Sequence, residues 1–182
     1  MASYNPVVIT DKGQEALFKS IAGQYGIQFT TISFGAGDHA DSEDLTKLTA
    51  LSDARQTVPV TSLVVPATDS VIVKARVNNN NLQAGYRIKE IGVFCKDGND
   101  ANSDTILYAI ITTAIPDYMP AIVGDEAPTE FSYSFGLGVG NASTVTIQNS
   151  SSTGYYNQAE VDALLTNYYT KSQIDEMLSP AT

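Results

Sequence analysis

The sequence predicts a mainly β, sandwich-like domain with one N-terminal helix, followed by a short helical stalk. Three observations predict it. First, apolar and polar residues alternate with period two in several stretches, most clearly at Phe131, Tyr133, Phe135, Leu137 and Val139, which marks strands with one buried face. Second, one helical pattern stands ahead of all the long strands, between Thr10 and Ala22. Third, residues 155–178 hold two copies of one short unit, with their tyrosine pairs thirteen residues apart.

Composition bounds the reading. The 182 residues suffice for one domain with a core, residues 1–148, plus a tail. A hydrophobic share of 43% and a charged share of 16% belong to a globular chain. The net charge of −10 argues against nucleic acid and anionic membranes as partners, since both call for basic patches. Cys95 is alone, so no disulfide forms within the chain. The start, Met1 to Pro6, lacks a basic segment followed by an apolar run, so no signal peptide is expected. The longest apolar stretch, residues 106–115, is too short to span a bilayer.

The elements follow in order. Val7, Val8 and Ile9 lead into the helix, which Thr10 or Asp11 caps, with Asp11 and Gln14 at capping-box spacing. Leu17, Phe18, Ile21 and Ala22 are its expected apolar face, and Gly23 and Gly26 its end. Residues 27–34 form a strand whose alternation changes face, which predicts a bulge at Thr30-Thr31. An acidic loop over 35–44 precedes a short helix at 45–51. Residues 57–65 read as one edge strand containing Pro59. Residues 70–77 alternate cleanly, with Val71, Val73, Ala75 and Val77 on one face. Strands at 86–95 and 105–113 flank a polar hairpin loop at 97–104, and a long loop is expected at 116–128. In the strand of Phe131, the other face holds Ser132, Ser134, Gly136, Gly138 and Gly140. That bare face either admits another backbone or lies against a loop. Residues 143–147 close the sheet, and 149–154 form a Ser-rich linker.

The tail, residues 155–182, is then an oligomerisation stalk. Asn157 with Glu160, and Thr170 with Gln173, have capping-box spacing. Val161, Leu164 and Leu165, then Ile174, Met177 and Leu178, form short apolar stripes. Helices of about two or three turns are marginal alone. The stripe is covered either by other copies of the chain or by folding back on the domain, and the repeat favours other copies. Tyr168 and Tyr169 join those six residues as the expected seam.

The chemistry-bearing motifs are weak. His39 stands among carboxylates without cysteine partners and reads as part of a solvated loop. Asp97 to Asp104 fails the EF-hand pattern at Ala101 and in its glycine. Gly136-Leu137-Gly138-Val139-Gly140 has the wrong spacing for a dinucleotide fingerprint. No nucleophile elbow, phosphate loop or zinc motif occurs. The expectation is no enzyme, no cofactor and no metal.

Two resemblances add to this. Tyr-Tyr-Thr-Lys-x-x-Ile-Asp-x-x-Leu at residues 168–178 resembles a short repeat of phage tail fibres and receptor-binding proteins. The first copy departs from it at Asn157-Gln158 and Val161. In the domain, Thr10-Asp11-Lys12-Gly13, Gly85 to Phe94, Leu107-Tyr108-Ala109, Pro116 to Pro120 and Gly140-Asn141-Ala142 come in an order similar to the N-terminal domain of phage tail-collar fibre proteins. The resemblances imply a homotrimer, a virion component made in the bacterial cytoplasm. Its domain would dock on tail or baseplate proteins, and its stalk would lead to a receptor-binding part, on the same chain or a separate protein. The rival expectation is a host-surface carbohydrate-binding module using the 116–128 loop, where Tyr118 either stacks on a sugar or packs the loop down.

Overall fold

A computed structural model describes residues 3–67, 69–98, 102–124, 128–140 and 145–147. The linker, both repeats and the expected seam (Val161, Leu164, Leu165, Tyr168, Tyr169, Ile174, Met177, Leu178) lie outside the described residues. In chain order the elements are β1 (Ser3–Tyr4), β2 (Val8–Ile9), α1 (Asp11–Ile21), β3 (Ile27–Gly35), a 3-10 turn (Leu45–Lys47), β4 (Ala54–Pro59), β5 (Ser62–Ala67), β6 (Ser70–Asn78), β7 (Tyr86–Lys96), β8 (Thr105–Met119), β9 (Glu130–Gly138) and β10 (Val145–Ile147).

Two sheets share the core. The larger runs β1-β8-β7-β3-β10, with β2 also on β8 and β4 also on β3; the smaller runs β5-β6-β9. All pairs are antiparallel except β10, which lies parallel to β3 with Val145 opposite Ile27. Strand alternation supplies the core. Val71, Val73, Ala75 and Val77 of β6, with Tyr133, Phe135 and Leu137 of β9, bury against Phe29, Ile32, Phe34, Ile88 and Ile91 of the larger sheet. Phe34 and Tyr133 meet across the sheets with ring centroids 5.1 Å apart. Among the described residues the fold is mainly β with one helix, as the sequence predicts for the domain.

The bulge in β3 is present. Phe29 pairs with Cys95 and Thr31 with Phe94, which leaves Thr30 as the extra residue. Its hydroxyl donates to the Phe94 carbonyl at 3.3 Å.

Of the two caps the sequence allows, Thr10 is the one used: its side chain accepts from Gly13 N–H. Four expectations about α1 and the elements after it need correction. The buried face of α1 is Gly13, Ala16 and Ser20, while Phe18 is 65% and Ile21 47% exposed. The reason is distance: a Cβ at Gly13 would lie 2.1 Å from the Tyr108 carbonyl oxygen, so only a small-residue face lets α1 sit this close to β8. The helix expected at 45–51 is only the 3-10 turn.

The single strand expected at 57–65 is two strands in different sheets. Val60 N–H donates to Thr30 of β3 at 3.1 Å, and Thr61 N–H to Lys74 of β6 at 2.8 Å. The chain thus crosses between sheets over one peptide, which is how sandwich corners are made. The loop expected from 116 begins four residues late, because β8 continues through Pro116 to Met119. The ladder to β7 skips from Glu90↔Thr112 to Ile88↔Asp117. Pro116 falls in that gap, where its missing N–H costs no ladder bond.

Candidate attachment surface

Glu90 of β7 is fully buried and organises the segment between β3 and β4, residues 36–53. Its Oε1 accepts from Gly37 N–H at 3.1 Å and Asp53 N–H at 2.7 Å. Its Oε2 accepts from Ser52 N–H at 3.0 Å and meets His39 Nε2 at 2.9 Å. Both ends of the loop are therefore fastened to one carboxylate. The sequence permits it through Gly37, where a Cβ would lie 2.5 Å from Glu90 Oε1.

His39 reaches Glu43 with its other nitrogen, Nδ1 to Oε2 at 2.9 Å. Only imidazolium donates from both ring nitrogens. Burial pushes its pKa down, but the hydrogen bonds to Glu90 and Glu43 prevail and hold it above the ordinary histidine value. The expected solvated-loop histidine is thus a nearly buried one.

The loop is tied at its rim as well. Lys89 Nζ binds Asp38 at 2.6 Å, Arg55 binds Asp53 at 2.6 Å, and Lys47 binds Asp11 at the start of α1. Asp44 caps the 3-10 turn through Thr46, and these bonds lower its pKa. A loop so held presents Asp38, Asp41, Glu43 and Asp44 as a fixed acidic surface.

Two further polar ties brace the scaffold. Tyr4 of β1 and Tyr133 of β9 both donate to Asp117 Oδ2 on β8, the second at 3.0 Å. This bolts the two sheets together. Burial, with the Asp117 contact, raises both tyrosine pKa values, so both remain phenols. Asp97, after β7, accepts from Tyr25 at 2.6 Å and Lys19 at 2.9 Å, and the Tyr25 bond leads in lowering its pKa. That ties α1 to the β7–β8 hairpin. Cys95 is buried, which pushes its thiol up to about 12 and keeps it unreactive.

The residues singled out in sequence fare unevenly. Tyr118 is not on a loop: it pairs with Arg87 in β8 and is 55% exposed. A Cβ on Gly85 would lie 2.3 Å from its hydroxyl, so the ring packs over that glycine. No cluster of three metal-ligating side chains occurs among the described residues, and no described helix is long and apolar enough to cross a membrane. Glu90 itself was missed, although it had a signal. It shares the alternating face of Tyr86 and Ile88, and a charge on a core face must be paired.

Residues 1–163 match the family described as phage tail-collar fibre protein, N-terminal. No curated protein and no solved structure matches. The match covers α1, the ten strands found among the described residues, the clamped loop and the Tyr4–Asp117–Tyr133 bolt. The chain therefore belongs to the phage tail-collar fibre N-terminal family, whose members are structural proteins of the virion.

Proposed function

We propose that residues 1–148 are the virion-attachment domain of a homotrimeric fibre or baseplate adaptor, and that residues 155–182 are its stalk. The observation that carries this is the family match over residues 1–163, which extends past the linker at 149–154. The repeated stripes of residues 161–178 supply the seam. The stalk holds a receptor-binding part, on this chain or docked on it, away from the tail. Three domains on one stalk bind the tail far more tightly than one, because the second and third contacts are intramolecular. The clamped loop suits this role: a contact loop fixed beforehand loses little entropy on docking.

The test is a double substitution, Leu164→Asp with Leu178→Asp. The expected result is a threefold fall in chains per particle, with the domain still folded by circular dichroism. An unchanged mass removes the seam. Retention of the isolated protein on purified tails, competed by residues 1–148, supports attachment. Binding to host glycans instead, lost in Tyr118→Ala, would favour the carbohydrate-binding alternative.

A further inference from the structure

β9 borders the smaller sheet and, among the described residues, pairs on one edge only, with β6. The register tells which backbone groups face which way. Val139 N–H donates to the Asp69 carbonyl at 2.9 Å, and Asn79 N–H to the Thr129 carbonyl at 3.2 Å. Both contacts continue the ladder that pairs Tyr133 with Ala75 and Phe135 with Val73. In an antiparallel pair, residues that exchange bonds alternate with residues that do not. The odd-numbered residues of β9 therefore bond β6. Ser132, Ser134 and Gly136 turn both N–H and C=O to the opposite edge. Gly138 does the same, and its carbonyl there accepts from the Tyr108 hydroxyl at 2.6 Å.

Ser132, Ser134 and Gly136 find no backbone partner on that edge among the described residues. All three are exposed, and a Cβ on Gly136 would meet nothing within 4 Å. Soluble proteins protect such edges with proline, lysine, bulges or very short strands. β9 spans nine residues with no register shift, no proline and no lysine, and its one charge is Glu130 at the start.

We propose that this edge pairs with the same edge of a second copy of the chain, β9 against β9, antiparallel and centred on Ser134. The strand is its own complement in that register. Ser132 falls opposite Gly136 of the second copy, and Ser134 opposite Ser134, so the outer face has nothing to clash. On the inner face Tyr133 falls opposite Phe135 of the second copy, twice over, and cross-strand aromatic pairs are stabilising. Glu130 falls opposite Gly138, not opposite itself, so the acidic chains meet without like charges facing. A parallel pairing about a two-fold would set Glu130 beside Glu130. The antiparallel ladder supplies about six N–H···O bonds. The pairing is isologous and closed. With a trimeric stalk each fibre carries three such edges, and pairing all three with those of one second fibre doubles the number of chains the stalk sets.

The test uses the full chain and two variants at the ladder's centre. Ser134→Pro removes an N–H that β6 does not use and blocks an added strand. Ser134→Lys sets two ammonium groups face to face. Light scattering is read for wild type and both variants, with thermal melts as the folding check. The expected result is an even number of chains for wild type, a twofold lower mass for both variants and an unchanged melt. If proline lowers the melting temperature, the lysine variant decides. An odd number of chains in wild type, or a mass unchanged in the folded variant, overturns the pairing. Failure of the stalk would instead remove a factor of three, so the two results are separable.

Discussion

Glu90 does for the 36–53 loop what a disulfide does in a secreted protein: one group fastens both ends. Truncation to alanine leaves the N–H groups of Gly37, Ser52 and Asp53 and the His39 ring without their acceptor. Glu90→Ala should cost about 3 kcal/mol, measured by urea unfolding; a loss within 0.5 kcal/mol or so of wild type would mean that water replaces the carboxylate. His39 gives a pH signature with a definite sign. Its folded pKa lies above its ordinary value of 6.5. The stabilisation it adds is then complete below pH 6.5 or so and is lost as pH rises through the folded value. Melting temperatures of wild type and His39→Gln should differ most at pH below the ordinary histidine value and converge as pH rises above the folded value. A gap that widens with pH would show that the ring is held neutral. The histidine and the acids were legible as a group in sequence. Their anchor was not, because it stands some fifty positions further on, and only the β3–β7 pairing that sets Gly35 opposite Glu90 brings the two together.

At the scale of elements, close approach decides what alternation leaves open. α1 was legible as a helix, with its N-terminus at Thr10, but its buried side was not. Side-chain hydrophobicity points to Leu17, Phe18 and Ile21, whereas the contact with β8 selects for absence of bulk at Gly13 and Ala16. Gly13→Ala should therefore destabilise by about 1–3 kcal/mol although alanine favours helix. Phe18→Ser should change stability by less than about 0.5 kcal/mol. Thermal melts of the two variants read this directly, and the reverse order would restore the apolar face as the packing face. The bulge at Thr30 was legible because a change of face within one strand has few other causes. The split of β4 from β5 was not: Val58, Val60 and Leu63 read as continuous, and the crossing at Val60-Thr61 is set by hydrogen bonds to two different sheets. The extent of β8 was hidden by Pro116, which usually ends a strand and here sits where no ladder bond is required.

For the molecule as a whole, a β domain with one helix could be read from alternation, and its place in a tail-collar family from the order of motifs. In the function proposed above, the stalk at residues 155–178, and nothing in the domain, brings three chains together. The most direct test is the mass in solution, by light scattering, of the full chain and of a chain ending at Asn149. Three times as many chains are expected in the full-length particle as in the truncated one, whether or not β9 edges also pair. Equal numbers of chains in both would contradict that role of the stalk.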